Sequence, residues 1–126
     1  MPNTQLTLKS LLSLKVRRER GIRSAIARLD KQVQQLETHK TTLLQNRSTL
    51  WSEWRHCSSS EQTLGPLEIR AYRAQLGKYY QQDHDLLAQV EDTDNEVSQR
   101  RVEQDKQQQL LRQILLQQEK LKILME

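Results

Sequence analysis

Three histidines, one cysteine and a short acidic pair hold the most reactive groups in the chain. His39, His56 and His84 are far apart in sequence. His56 stands beside Cys57 but lacks the further ligands that a zinc site requires. Asp92-x-Asp94 opens like a calcium-binding loop, yet the loop's glycine is missing and the segment lies in a helical run. No glycine-rich phosphate loop occurs. These residues predict no catalytic centre, no metal and no cofactor, and the expected product is not an enzyme.

Charge and aromatic residues point instead to surfaces. Residues 1–30 hold seven basic side chains against Glu19 and Asp30, a net +5, while the remainder of the chain nets −1. Lys15, Arg17, Arg18 and Arg20, with Arg100 and Arg101 on a returning helix, form a candidate site for an acidic protein partner. No aromatic platform accompanies them, which argues against nucleic acid. A second candidate surface is a lateral stripe of Leu44, Trp51, Arg73, Tyr80 and Leu87, with aromatic anchors. A third is a set of apolar residues outside any two-helix seam: Leu11, Leu14, Val16, Leu110, Leu115, Leu116, Ile123 and Leu124.

The elements that carry these surfaces are two helices. The chain has 126 residues, three glycines, two prolines and no phenylalanine. A hydrophobic content of 35% is too small for a sizeable core but sufficient for a two-helix seam. Ser58-Ser59-Ser60 disfavours a continuing helix. Gly65, Pro66 and Glu68 then suit the N-cap, first and third positions of a new one, with Leu64 and Ile69 as a hydrophobic staple. Asn3, Thr4 or Thr7 suits the cap of the first helix. The expected order is helix 1 over about 5–57, a turn over about 58–65, and helix 2 over about 66–125, in one domain.

Each arm repeats apolar residues at alternating spacings of four and three, the mark of a coiled-coil seam. The first seam runs Leu8, Leu12, Lys15, Glu19, Ile22, Ile26, Leu29, Val33, Leu36, Lys40, Leu43, Arg47, Leu50, Trp54, Cys57. The second runs Ile69, Tyr72, Leu76, Tyr79, Asp83, Leu86, Val90, Thr93, Val97, Arg100, Gln104, Gln107, Leu111, Ile114, Gln118, Leu121, Met125. Folding the chain about residue 61 pairs positions whose numbers sum to about 122. Lys40 then meets Asp83, Glu19 lies near Arg100 and Gln104, and Ile26 faces Val97. The fold class is therefore all-α, two long helices forming an antiparallel coiled-coil hairpin. The lone Cys57 suits a reducing compartment, and Lys9 interrupts the only N-terminal run that could mimic a signal peptide. With no apolar run of membrane-spanning length, no membrane insertion and a cytoplasmic location are expected.

Leu14-Lys15-Val16-Arg17-Arg18-Glu19-Arg20, followed by Ala25-Ile26, resembles the N-terminal segment of injectisome central-stalk proteins of the YscO family. That family is related in architecture to the flagellar FliJ stalks. Ile69-x-x-Tyr72-x-x-x-Leu76 is similar to the family's segment after its turn. The resemblance implies a component of a bacterial type III secretion system that acts as a non-enzymatic central stalk. Such a stalk enters and stimulates a hexameric export ATPase, links it to the export-gate protein, and in some roles escorts secretion chaperones. On this resemblance Lys15, Arg17, Arg18, Arg20, Arg100 and Arg101 are assigned to the ATPase. Trp51, Tyr72, Arg73 and Tyr80 are assigned to the gate. The rival expectation is a generic coiled-coil scaffold or a nucleic-acid accessory protein with no motor partner.

Overall fold

The computed structural model describes residues 2–58 and 65–126. It contains helix α1, Pro2–Ser58, and helix α2, Pro66–Met125. No strand is present among the described residues. The two long helices pack against each other, so the fold is all-α with helical-hairpin pairing. Most of the expected turn, including Leu64 of the proposed staple, lies outside the described residues.

The start of α2 follows local chemistry. Gly65 N–H donates to Glu68 Oε2 at 3.0 Å, and Ile69 N–H donates to the Gly65 carbonyl at 2.9 Å. Gly65 is thus the N-cap, Pro66 takes the position where no N–H is needed, and Glu68 closes the capping interaction. The start of α1 differs from expectation. The helix begins at Pro2, so Asn3, Thr4 and Thr7 lie inside it, and Thr7 Oγ1 donates back to the Asn3 carbonyl at 2.8 Å. Pro2 suits a first-turn position for the same reason as Pro66.

The chain divides into two compact units. Unit 1 comprises Met1–Gln34 and Ser98–Glu126, and unit 2 is Gln35–Val97. In unit 1 the buried side chains are Leu29, Val33, Ile114 and Gln118. In unit 2 they are Leu43, Leu50, Thr93 and Val97. All eight belong to the two predicted seams. Every seam position from Leu8 to Trp54 on α1, and from Leu76 to Met125 on α2, is buried or half-buried. The 4-3 pattern therefore identified the packed faces. Cys57, Ile69 and Tyr72 are the exceptions and are exposed. They lie where α1 stops at Ser58 and α2 is only beginning, so helix covers them on fewer sides.

The register is not the expected one. In unit 2, Arg47 pairs with Asp83 and Lys40 with Asp94, giving partner numbers that sum to 130 and 134 rather than 122. In unit 1, Glu19 accepts a hydrogen bond from Gln118, a sum of 137. Glu19 therefore does not sit beside Arg100 and Gln104, and Ile26 shares a groove with Leu111. Large rings account for the shift in unit 2. Trp54 lies against Tyr72 and Tyr79, with centroids 5.1 and 5.2 Å away. Trp51 meets Tyr80 edge-on at 5.3 Å. These aromatic contacts supply area and geometry that a comparison of charges alone cannot anticipate.

Candidate functional site

In unit 2 a polar node sits in the seam. Asp83 Oδ1 accepts from Arg47 Nε at 2.6 Å and from Trp51 Nε1 at 2.8 Å. The Asp83 side chain is only 14% exposed, so both donors matter to it. The Trp51 N–H bond, and then the Arg47 bond, hold the Asp83 carboxyl below the usual aspartate range. Lys40 Nζ reaches Asp94 Oδ1 at 2.9 Å, and this bond raises the lysine pKa. Sequence reasoning had both Arg47 and Asp83 in the seam but gave Asp83 to Lys40. The signal missed was that a carboxylate in an apolar seam gains more from two fixed donors than from one flexible ammonium.

The lateral stripe of unit 2 is partly engaged. Tyr80 is 59% exposed, and Leu44 and Leu87 are exposed to lesser extents. Trp51 is half-buried and its N–H is committed to Asp83. Tyr72 rests on Trp54 and remains exposed, as does Arg73. Of the four proposed gate residues, the structure brings Trp51 and Tyr80 into direct contact. The exposed part of this stripe is therefore Tyr80 with Leu44, Leu87 and Arg73. Burial raises the pKa of the neighbouring Tyr79 phenol, with Cys57 and Glu53 adding to the effect.

In unit 1 the basic residues divide into two sets. Arg17, Arg18 and Arg20 are exposed on α1, and Lys15 is half-buried. The expected clustering with Arg100 and Arg101 does not occur. Gln118 stands opposite Glu19, which places Arg100 eighteen residues away, about 27 Å along α2. Glu19 itself accepts from Arg23 Nε at 2.8 Å and from Gln118 Nε2 at 2.9 Å, and these bonds lower its pKa, Arg23 most. The pair ties the one acidic residue of the basic segment 15–20 to internal partners and leaves the surface there positive.

Apolar side chains surround these cations. Leu6, Leu11, Leu14, Leu110, Leu116, Ile123 and Leu124 are all between 40% and 65% exposed. Val16 is the one member of the predicted set that is half-buried. A surface groove of about 440 Å³ runs along unit 1, floored by Ile22, Leu110 and Ile114 and edged by Lys15 and Arg18. A second, of about 390 Å³, lies beside Lys9, Arg17 and Arg20. Such a surface offers cations next to apolar area.

Among the described residues, no group of His, Cys, Asp and Glu is arranged to hold a metal ion. Nor, among those residues, is any helix long and apolar enough to cross a membrane. No protein-family model, curated protein or solved structure matches the chain.

Proposed function

We propose that this chain is a non-enzymatic central stalk of a bacterial type III secretion system. It acts in the cytoplasm, where unit 1 enters and stimulates a hexameric export ATPase and unit 2 engages the export gate. Escort of secretion chaperones is a further role within the same reading. The observation that carries it is the surface of unit 1. Arg17, Arg18 and Arg20 are exposed among Leu11, Leu14, Leu116, Ile123 and Leu124, which are also exposed. Helices that are apolar on several faces gain stability when something covers them. The resemblance of Leu14–Arg20 and Ile69–Leu76 to the YscO stalks names what that something is. The gate contact is assigned to Tyr80 and Arg73, with Trp51 and Tyr72 shaping the surface beneath them.

The deciding experiment is co-purification with the secretion ATPase, followed by its hydrolysis rate with and without the chain. The double variant Arg17→Glu/Arg20→Glu abolishes the stimulation while circular dichroism shows unchanged helicity. Full stimulation by that variant rejects the assignment. Tight, steeply salt-dependent retention on DNA, with no effect on the ATPase, favours the nucleic-acid accessory protein instead.

A further inference from the structure

The groove edged by Lys15 and Arg18 in unit 1 combines three features. Its floor is apolar, made by Ile22, Leu110 and Ile114. No carboxylate lines it. One wall carries Gly21, in the interior of α1. A mid-helix glycine weakens a helix relative to alanine, so it needs a reason. The protein's own packing supplies none, because a Cβ at position 21 meets nothing within 4 Å. The missing side chain leaves room for something outside the chain to approach the α1 backbone.

We infer that this groove binds one amphipathic helix of a partner protein, with apolar side chains on Ile22, Leu110 and Ile114 and a carboxylate between Lys15 and Arg18. The lining residues on α2 extend from Gln107 to Gln117, about 15 Å, which matches two to three turns of an incoming helix. Anchors at i, i+3, i+4 and i+7 fit that length. Charge selects the occupant. Among the described residues Lys15 and Arg18 have no ion-pair partner, and a carboxylate placed between them makes charge-assisted bonds, two-pronged at Arg18. A second copy docked groove to groove about a two-fold axis would bring Lys15 and Arg18 against their own counterparts and repel. The inference rests on unit 1 being the partner-binding segment and specifies the partner's chemistry there.

The test uses the full chain, isotopically labelled for amide NMR, and two synthetic amphipathic helices. One carries leucines at the four anchor spacings with glutamates flanking them, and the other has lysines in place of the glutamates. The acidic peptide shifts the amides of Gly21, Ile22, Leu110 and Ile114, and the basic peptide does not. Gly21→Leu fills the groove, weakens acidic-peptide binding by at least about tenfold, and leaves the melting temperature equal or higher. Arg18→Glu reverses the peptide preference. Three results overturn the inference: no shift at those amides, undiminished binding by Gly21→Leu, or a sedimenting dimer that Gly21→Leu dissolves. The stalk reading fails separately. If the unmodified chain neither co-purifies with the ATPase nor changes its hydrolysis rate while the acidic peptide binds the groove, the groove stands and the stalk does not.

Discussion

Arg47 and Asp83 meet across the seam of unit 2, Nε to Oδ1 at 2.6 Å, and Trp51 donates to the same oxygen from 2.8 Å. An acceptor held by two donors on one helix sets which residues face each other along the next turns. The contact therefore acts chiefly on specificity. Sliding the helices by one seam position would strand a carboxylate that is 14% exposed among apolar neighbours.

Asp83→Asn should destabilise the protein by about 1–2 kcal/mol, because a charge-assisted pair becomes a neutral one. The folded pKa of Asp83 is lowered. Its stabilisation is thus complete above the ordinary aspartate pKa and is lost as pH falls through the folded value. Urea unfolding at neutral and acid pH checks both parts. The wild-type advantage over Asp83→Asn must shrink on acidification, and an advantage that grows contradicts the geometry.

Burial predicts a sharp contrast between two leucines. Leu43 is 4% exposed and Leu87 is 40% exposed. Leu43→Ala should cost about 2–3 kcal/mol and Leu87→Ala less than about 1 kcal/mol. Paired thermal or urea melts decide it. Similar costs would mean that Leu87 is covered in solution.

The capping contact of α2 is separable from its packing. Glu68→Ala removes the acceptor for Gly65 N–H and should cost about 0.5–1 kcal/mol. Amide exchange should rise at residues 66–70 and stay unchanged near Ile114. Uniform acceleration along α2 would refute a local cap.

The Lys40–Asp94 pair should matter little. Its side chains are 32% and 50% exposed, so solvent screens it. Asp94→Asn is expected to change stability by less than about 0.5 kcal/mol, read in the same urea titrations. A larger loss would show that the pair, and not Asp83, fixes the register.

Much of the fold was legible because burial in a two-helix seam follows the chain's own period. Leu29, Val33, Leu43, Leu50, Val97 and Ile114 announce themselves by spacing, and Gly65-Pro66 announces the second helix. Register was not legible, because a 4-3 repeat looks alike after any shift by a repeat. Lys40 has a plausible acidic partner at Asp83 and a real one at Asp94. What separates them is the bulk of Trp54 against Tyr72 and Tyr79, which depends on three dimensions. The candidate surfaces divide in the same way. Exposure of Leu11, Leu14, Leu116 and Leu124 followed from their places off the seam. The grouping of Arg100 with Arg17 depended on register and did not survive it.

Among the described residues, no side chain falls below 2% exposure. Melting such a chain uncovers little apolar area that water had not already met. Its heat-capacity increment per residue should therefore sit beneath the globular norm of about 12–15 cal/mol/K. Calorimetry should record a low, wide endotherm. A partner that seals the leucines of unit 1 would sharpen that peak and enlarge the increment.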